Sequence, residues 1–586
     1  MMANSLHERI HQSRALLLIA FIIIGTVASP KAQAQAPGWQ AVMAATGNYS
    51  IVQAVATDAS DNVYLTGTFS GTVAFGNYSL TSAGRADVYV VKWNSTSKSF
   101  IWAQRAGGTD SDRGEAIAVN GSNIYIAGTF ENAAAFGNIS LGTGSASSNG
   151  AFVAKLTDTG SNGNFVWAQP VGSSTAPSGL AVTGTNVYVT GTFTGTTTRI
   201  GSVTLTNSGT GGTFEAFVAK LSDSGSAGSL VWARRAGGVL DEIPHSIAAN
   251  GTSIYVTGGF SSPSADFGNT TLTNANANMS SAHDVFITKL TDAGNTGSFT
   301  WTKQAGGTGN DSGQGIAVNG SNIYVAGSFT SSAFQLGSTT LATSGFGDAF
   351  VTKLTDTGTS SNYNWALGAG GPGFEGPTAV AVNGTNVYVT GSFSGATSTF
   401  GATTLTNAGA PLGQNNSDFF VTKVSDAGSS GSFTWAQSAG GVGSDNPAGM
   451  AVQGANVYVG GLVTPPASFG SQTVTSPSTT YLVGVFASIT DNQVLSTKSL
   501  APAIGIEVFP NPAHTAVTVR LGAGPVINQA TLILTDALGR VVLNRAITLP
   551  INGADIPLDL TGLAPGVYAL QVKANSACTV RQLVVE

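Results

Sequence analysis

The most regular feature of this chain is a short apolar segment that recurs seven times. Each copy sets Val, Ile, Tyr and Phe among small residues, the pattern of a buried β-strand. The tyrosines of the seven copies follow one another after 61, 63, 67, 69, 64 and 70 residues, so the chain is an array of one small unit. The copies are NVYLTGTF (62–69), NIYIAGTF (123–130), NVYVTGTF (186–193), SIYVTGGF (253–260), NIYVAGSF (322–329), NVYVTGSF (386–393) and NVYVGGLV (456–463).

The repeat spanning 101–165 predicts four long strands and one excursion. The strands are IWAQRAGG (101–108), EAIAVN (115–120), IYIAGTF (124–130) and AFVAKL (151–156). A glycine turn joins the second strand to the third, the usual signal of a hairpin. The excursion contains FGNISL (136–141), which predicts an additional short hairpin.

Three positions of this unit recur along the array. A tryptophan marks the first strand in all seven units, and a lysine lies in the fourth strand of six units, with Ser488 in its place in the last. A Phe-Gly type pair marks each excursion. The tryptophans are Trp39, Trp102, Trp167, Trp232, Trp301, Trp365 and Trp435, and the lysines are Lys92, Lys155, Lys220, Lys289, Lys353 and Lys423.

A four-stranded meander of about 65 residues is too small to be stable alone. Four-stranded sheets packed around an axis form a β-propeller, which usually has four to eight blades. We therefore predict an all-β chain with a seven-bladed β-propeller at 35–490. An open β-solenoid is the alternative, but it needs polar capping units, and the sequence contains no such cap.

The order of the elements predicts how the ring closes. The chain enters with a Trp strand at 38–44, and the last unit ends at YLVGVFASI (481–489). If the IAV strand is innermost, the strand around Trp39 completes the last blade. The alternative is that QVLSTKSL (493–500) supplies this outer strand.

The repeats, which read like IAV-x-G-x-NVYVTG, resemble a bacterial β-propeller repeat family over about 38–490. This resemblance supports the fold. It implies no activity, because propellers host unrelated functions.

After a linker at 491–503 the repeat pattern stops. Alternating apolar segments separated by Pro, Gly and Asn predict a small Ig-like β-sandwich at 504–586. The segment contains Pro510-Asn511-Pro512, a D-x-x-G-R turn at Asp536, Gly539 and Arg540, and L-x-x-G-x-Y at Leu563, Gly566 and Tyr568.

Together these motifs resemble the type A sorting domain of the type IX secretion system. The resemblance implies a Gram-negative cell, passage through the inner membrane by the Sec route, and handling by the type IX machinery at the outer membrane. It also implies that the tail is commonly removed and the cargo released or attached to surface lipopolysaccharide. An ordinary Ig-like binding domain is the alternative.

The first 34 residues predict a Sec signal peptide. Arg9 and Arg14 precede an apolar stretch, ALLLIAFIIIGTV (15–27), that is too short to span a bilayer. Cleavage is expected near Ala34, and the mature chain is expected to have no transmembrane segment. An uncleaved membrane anchor is the alternative.

The composition agrees with export and excludes several classes of partner and metal site. Only 9% of the residues are charged and the net charge is −6, so nucleic acid is not an expected partner. Cys578 is the only cysteine, which excludes an intrachain disulfide and a zinc-thiolate site. His245 and His283 are the only histidines of the ring, too few for a histidine-metal centre. No cofactor and no metal site is therefore predicted.

Acidic residues lie in the loops that join each Trp strand to the next IAV strand. They are the candidate ligand-binding residues, because a rim of carboxylates binds a cation or sugar hydroxyls. The favoured interpretation, however, is that each acid accepts a backbone N–H and holds a glycine-rich turn, because the acids are scattered and show no recognisable paired spacing. These loops and the excursions are expected on one face of the ring. The acids are Asp110, Asp112, Asp241, Asp311, Glu375 and Asp445.

The turns that follow the lysine strand, such as TDTG (157–160), carry one acid each and predict Asx turns rather than calcium loops. The repeated lysines are predicted to be structural, pairing with loop acids or snorkelling between blades.

No nucleophile elbow, phosphate loop or zinc motif occurs in the sequence. The main hypothesis is therefore a secreted or surface-attached binding or adhesion protein without catalysis, with a surface glycan, an extracellular polymer or a protein as partner. An extracellular carbohydrate lyase or glycosidase, with acids converging at the axis, is the second hypothesis. A purely architectural surface protein is the third.

Overall fold

The structure is a computed structural model that describes residues 36–142, 149–209, 212–276, 282–409, 416–475, 482–491, 506–521, 530–536, 541–547, 554–574 and 577–586. Within these residues every helix or strand assigned is a β-strand. Contacts divide the chain into two compact units, one ending at Thr490 and one beginning at Asp491. The predicted signal peptide, the linker beyond residue 491, and Gly539 and Arg540 lie outside the described residues.

The first unit enters with β1 (Trp39–Ala44) and β2 (Thr46–Gly47), followed by seven sets of strands that we number as sheets 1 to 7. In each set the two short strands form a hairpin that, within the described residues, does not pair with the longer strands of that set. Sheet 1 comprises β3 (Ser50–Thr57), β4 (Asn62–Phe69), β5 (Thr72–Phe75), β6 (Tyr78–Thr81), β7 (Asp87–Asn94) and β8 (Ser99–Gly107). Sheet 2 comprises β9 (Arg113–Asn120), β10 (Asn123–Glu131), β11 (Ala133–Phe136), β12 (Ile139–Gly142), β13 (Asn149–Asp158) and β14 (Gly163–Ser173). Sheet 3 comprises β15 (Thr175–Thr183), β16 (Asn186–Phe193), β17 (Thr197–Ile200), β18 (Val203–Thr206), β19 (Glu215–Asp223) and β20 (Gly228–Ala236).

Sheet 4 comprises β21 (Glu242–Asn250), β22 (Ser253–Phe260), β23 (Ser264–Phe267), β24 (Thr270–Thr273), β25 (Asp284–Asp292) and β26 (Gly297–Ala305). Sheet 5 comprises β27 (Asp311–Asn319), β28 (Asn322–Phe329), β29 (Phe334–Leu336), β30 (Thr339–Leu341), β31 (Asp348–Asp356) and β32 (Ser361–Ala369). Sheet 6 comprises β33 (Glu375–Asn383), β34 (Asn386–Ser394), β35 (Thr397–Phe400), β36 (Thr403–Thr406), β37 (Ser417–Asp426) and β38 (Gly431–Gly441). Sheet 7 comprises β39 (Asn446–Gln453), β40 (Asn456–Val463), β41 (Ala467–Phe469), β42 (Gln472–Val474) and β43 (Val483–Thr490).

Each sheet is built on a four-stranded antiparallel meander whose first strand lies nearest the axis. In sheet 4 the order is β21-β22-β25-β26. The second strand is buried on both faces, which explains why the repeated NVYVTG-type segment lacks polar alternation. Tyr255 and Phe260, for example, are at most 2% exposed.

The innermost strands of consecutive sheets lie side by side around the axis. A methyl group on Gly315 of β27 would meet the backbone nitrogen of Val380 in β33 at 2.9 Å. One on Gly449 of β39 would meet the Cα of Ala54 in β3 at 2.9 Å, so the last sheet lies beside the first. The array is a closed ring, which confirms the all-β propeller architecture and excludes the open solenoid.

The N-terminal strand completes sheet 7. β1 pairs with β43 in the register Ala41↔Ser488 to Ala44↔Val485. Trp39 packs edge-on against Phe469, with ring centroids 5.0 Å apart. This is the closure that the order of elements predicts; the alternative strand at 493–500 lies outside the described residues.

The Phe-Gly excursions form the predicted short hairpins, and these connect neighbouring sheets. The turn between β23 and β24 uses Gly268 at φ 65°, a conformation that favours glycine. The same hairpin reaches back to sheet 3, because Gly237 and Asp266 exchange backbone hydrogen bonds of 3.0 and 2.9 Å.

A buried polar cluster, which we call the staple, links consecutive sheets. In sheet 3, Lys220 Nζ, Tyr188 Oη and Trp232 Nε1 donate to Asp292 in sheet 4, at 2.6, 2.7 and 3.0 Å. The lysine, tyrosine and tryptophan recur together in the repeats because all three donate to the same carboxylate. Burial opposes ionisation of this carboxyl, but the three donors outweigh it and lower the pKa of Asp292. Equivalent staples centre on Asp158, Asp223, Asp356 and Asp426.

The staple aspartates also form the predicted Asx turns. Asp292 Oδ1 accepts the backbone N–H of Gly294 at 3.0 Å. At the closure between sheets 7 and 1 the arrangement differs, since Ser488 replaces the lysine. There Tyr458 Oη and Asn456 Nδ2 donate to Asp61 at 2.7 and 2.8 Å.

The second unit contains two sheets that enclose an apolar core, as predicted for a sandwich. Asn511 of the Pro-Asn-Pro motif binds the last strand, donating to Gln582 O and accepting from Val584 N, both at 2.8 Å. Tyr568 Oη donates to Ala564 O at 2.7 Å. The strands are β44 (Ile506–Phe509), β45 (Ala516–Leu521), β46 (Ala530–Thr535), β47 (Val541–Ile547), β48 (Ala554–Asp559), β49 (Gly566–Ala574) and β50 (Ala577–Val585).

Candidate functional site

The loops that lead into each innermost strand lie beside the excursions of the preceding sheet, as the sequence predicts. We call this end of the ring the loop face. Backbone hydrogen bonds make the connection: Glu375 N donates to Gly347 O at 2.9 Å, and Asp311 N donates to His283 O at 2.8 Å. Both kinds of loop therefore form one surface, held in place by the sheets beneath.

Four of the six predicted binding acids are buried under this surface. Asp112, Asp311, Glu375 and Asp445 are all 0% exposed. Each accepts a backbone N–H of its own or a neighbouring loop, from Gly108, Thr330, Gly371 and Gly441 respectively. A sugar on the surface does not reach these carboxylates.

The other two acids are half-buried and lie apart from each other. Asp110 accepts from Asn132 Nδ2 at 2.7 Å. Asp241 accepts from the backbone N–H of Phe214 at 2.9 Å, beside an exposed phenyl ring. The structure therefore does not gather the six acids into one cluster.

A second set of buried acids was missed by the sequence analysis. Each lies at the start of the lysine strand, five residues before the lysine, and near the acid at the start of the innermost strand of the next sheet. A fixed acid-to-lysine spacing in five repeats was the signal that could have identified them. The resulting pairs are Asp87–Asp112, Glu215–Glu242, Asp284–Asp311, Asp348–Glu375 and Asp418–Asp445.

A glycine makes room for each pair. A methyl group on Gly107 would meet Asp87 Oδ1 at 2.7 Å and Asp112 Oδ2 at 2.8 Å. One on Gly440 would meet Asp418 Oδ1 at 2.3 Å and Asp445 Oδ2 at 2.8 Å. The Gly-Gly sequence at the end of the Trp strand is thus needed to seat two carboxyl groups.

Several oxygens of these pairs have no hydrogen-bond partner although they are buried. They are Asp87 Oδ1, Glu242 Oε1, Asp284 Oδ1, Asp348 Oδ1, Glu375 Oε1 and Asp418 Oδ1. Buried polar atoms without a partner are rare, because each loses its hydration without compensation. The pairs therefore need a proton or a cation that the described side chains do not supply in full.

Burial shifts the titration of these groups. Burial, together with the nearby Asp348 carboxylate, raises the pKa of Glu375 to about 8. Burial also raises the pKa of Asp112, Glu242 and Asp445 to about 7, and that of Asp284 and Asp418 to about 6. Folding therefore favours the protonated form of these carboxyl groups.

We expect the ring to be more stable at about pH 5 than at about pH 8.5 when a chelator is present. A carboxyl whose pKa is raised by folding contributes its full stability below its unfolded pKa of about 4, and loses it as pH rises through the folded value. The staple aspartates have lowered pKa values and stay ionised at both pH values. The measurement is the Tm by calorimetry; a Tm that is constant or rises with pH would contradict this expectation.

The axis of the ring is a narrow channel of about 190 Å³. Every innermost strand has a β-bulge, and its extra residue lines the channel. These residues are Gln53, Glu115, Ser178, His245, Gln314, Thr378 and Ala448.

Glu115 is the only carboxylate among the channel-lining residues of the described chain. Its Oε2 accepts from Gln53 Nε2 at 2.9 Å. Burial lowers the pKa of His245 to about 4, so this side chain is neutral at physiological pH. The channel is polar and nearly uncharged.

Exposed aromatic side chains concentrate on the loop face. Phe346 is 84% exposed, Phe214 is 43% exposed and Phe374 is 42% exposed. Phe346 and Phe374 lie in adjacent loops, since Phe346 N donates to Gly373 O at 3.0 Å. Exposed apolar groups grouped on one surface are typical of binding sites.

A further cavity of about 370 Å³ lies between sheets 2 and 3, lined by Gln169, Ser173 and Arg199 among others. Its lining also includes Gly142 and Gly150.

Comparison with known proteins identifies the second unit. Residues 507–586 match the family described as the secretion system C-terminal sorting domain. The chain carries a type IX sorting tail. The tail indicates secretion, or attachment at the outer-membrane surface, in a Bacteroidetes-type bacterium. No helix of the described residues is long and apolar enough to cross a membrane.

Solved structures similar to the ring have very low sequence identity. Trypanosoma rangeli sialidase is 9% identical, with a TM-score of 0.30, over 83% of this chain and 86% of that chain. YCF48 bound to D1 peptide is 11% identical, with a TM-score of 0.25, over 61% of this chain and 90% of that chain. No curated protein sequence matches this chain. These similarities carry no information about activity.

Proposed function

We propose that the ring is a non-catalytic carbohydrate-binding protein that acts outside the cell, with its ligand on the loop face. The exposure of Phe346 is the observation that carries this proposal. Sugar rings present flat C–H surfaces that pack on an aromatic face, and a rigid loop presents that face at little entropic cost. In the loops of sheets 3 and 4, half-buried Asp241 lies beside Phe214 and offers, at a separate place on the loop face, a carboxylate of the kind that binds hydroxyl groups.

The distribution of carboxylates supports a binding role over glycoside hydrolysis. Most glycosidases use two carboxyl groups on either side of the bond they cleave. The axial channel has one carboxylate, Glu115, among its described lining residues. The paired acids elsewhere are enclosed between sheets, where a polysaccharide does not reach them.

Replacing Phe346 with Ala is expected to weaken glycan binding about fivefold, because one stacked aromatic ring contributes on the order of 1 kcal/mol. The measurement is a glycan array with the secreted chain, followed by calorimetric titration of the best glycan. Since Phe346 is 84% exposed, the Tm should not change.

Tyr78→Ala is the matched control, because Tyr78 is an exposed aromatic residue on the hairpin of sheet 1, across the ring from the loops of sheets 5 and 6. It should bind the glycan as the unaltered chain does. The proposal fails if the Phe346 and Tyr78 variants bind equally well, or if the bound glycan is cleaved.

A further inference from the structure

The five carboxylate pairs differ in the positive charge that the chain brings to them. In each lysine strand, the residue two positions after the acid pairs with a residue of the outermost strand of the same sheet. In sheet 1 that partner is Arg105, which forms an ion pair with Asp87, and in sheet 3 it is Arg235, which forms one with Glu215. Two of the pairs therefore contain a cation supplied by the protein.

The equivalent position in sheet 5 is Gly368, opposite Phe350. In the described part of the chain no lysine or arginine forms an ion pair with Asp348 or Glu375. Two carboxyl groups are thus enclosed together without the counter-charge that the Asp87–Asp112 pair has. A buried charge of this kind is costly unless it is compensated.

The geometry of this pair leaves two oxygens without a regular hydrogen bond. Asp348 is 4% exposed and Glu375 is 0% exposed. Asp348 Oδ2 accepts from the N–H and the hydroxyl of Ser344, both at 2.9 Å, and Glu375 Oε2 accepts from Gly371 N at 3.1 Å. Asp348 Oδ1 has no hydrogen-bond partner. Glu375 Oε1 has none with full hydrogen-bond geometry, and the buried Ser398 hydroxyl is the nearby side chain that favours the ionised form of Glu375.

Both side chains converge on the Gly370–Gly371 turn. A methyl group on Gly370 would meet Asp348 Cγ at 2.3 Å, Oδ1 at 2.4 Å and Oδ2 at 2.6 Å, so the whole carboxyl group lies against this turn. Glu375 holds the same turn through Gly371 N.

We propose that Asp348 and Glu375 bind one Ca²⁺ ion between sheets 5 and 6. Ca²⁺ prefers carboxylate oxygens, tolerates irregular geometry, and completes its shell with backbone carbonyl oxygens and water. The described residues contain no group of three or more His, Cys, Asp or Glu side chains that could hold a metal ion. The two carboxylates would therefore need backbone carbonyl oxygens and water as the remaining ligands. Sites of this kind in extracellular proteins have dissociation constants of about 10⁻⁴ to 10⁻³ M.

The ion would join the two loops that present the exposed aromatic rings. Phe346 lies two residues before Asp348, and Phe374 directly precedes Glu375. Calcium would then order the carbohydrate surface, a consequence that rests on the proposed function; the metal site itself does not depend on it.

The test is a calorimetric Ca²⁺ titration of the full chain after removal of metal by a chelator. The Asp348→Asn, Glu375→Gln double variant should bind one Ca²⁺ fewer per chain than the unaltered protein. Asp112→Asn is the matched control, because Arg105 already supplies positive charge to its pair, and it should bind as many ions as the unaltered chain.

A second measurement, on the unaltered chain, tests the proposal if the double variant does not fold. The unaltered chain should have a higher Tm in about 1 mM Ca²⁺ than in chelator, since an ion that binds only the folded state stabilises it. Absence of Ca²⁺ binding by the unaltered chain, or equal stoichiometry in the double variant, would overturn the proposal. If the double variant loses one Ca²⁺ but still binds the glycan as the unaltered chain does, the metal site is confirmed. Its role in presenting Phe346 is then contradicted.

Discussion

A chain that lacks residues 36–45 is expected to lose the stable ring. β1 covers β43, whose residues Val485, Phe486 and Ala487 are at most 1% exposed. Deleting β1 exposes these side chains, removes Trp39 from its contact with Phe469, and leaves sheet 7 with a free edge. The loss should be comparable to the net stability of a domain, about 5–15 kcal/mol.

The measurement is calorimetric unfolding of the deleted and the complete chain, expressed without the signal peptide. The complete chain should give a cooperative transition of the ring that the deleted chain lacks at the same temperature. Gln40→Ala is the control, because Gln40 is exposed on the same strand and its amide binds only Gly38 O. A deleted chain with an unchanged ring transition would show that β1 does not close the ring.

Asp292→Asn is expected to lower the free energy of unfolding by about 3–5 kcal/mol. The substitution keeps the shape of the side chain but leaves Lys220, which is 5% exposed, without its anionic partner. It also weakens the hydrogen bonds from Tyr188 and Trp232. Chemical denaturation, with the ring and the tail followed separately, measures the change.

Two further variants test the origin of this loss. Asp266→Asn, in the same sheet but exposed, should change the free energy of unfolding by no more than about 0.5 kcal/mol. Adding Lys220→Met to Asp292→Asn should recover part of the loss, because the unpaired buried charge is then removed. Equal effects of Asp292→Asn and Asp266→Asn would contradict the staple.

The fold was largely predictable because its determinants are repeated in the sequence. The NVYVTG-type strand, the Trp strand and the Phe-Gly hairpin each recur with a nearly constant spacing, so one unit defines the others. The position of Trp39 before the first IAV strand was enough to predict closure by the N-terminal strand. The sorting tail was recognisable because its motifs, such as Pro510-Asn511-Pro512, are local in sequence.

The candidate sites were less predictable because they form between repeats. Asp348 ends one excursion and Glu375 begins the next sheet, and only the packing of sheets 5 and 6 brings them together. The sequence analysis favoured loop acids that hold their turns over a binding rim, but it could not show that Asp112, Asp311, Glu375 and Asp445 are buried. The bulges that turn Glu115 and His245 toward the axis arise from strand pairing, which a hydrophobic pattern does not encode.

The measurement that tests non-catalytic carbohydrate binding most directly is a crystal structure of the secreted chain with the best glycan from the array. We expect an intact sugar chain on the loop face, packed on Phe346 and Phe374. A glycan bound in the axial channel at Glu115, or a cleaved product in its place, would contradict the central claim that the ring binds carbohydrate without catalysis.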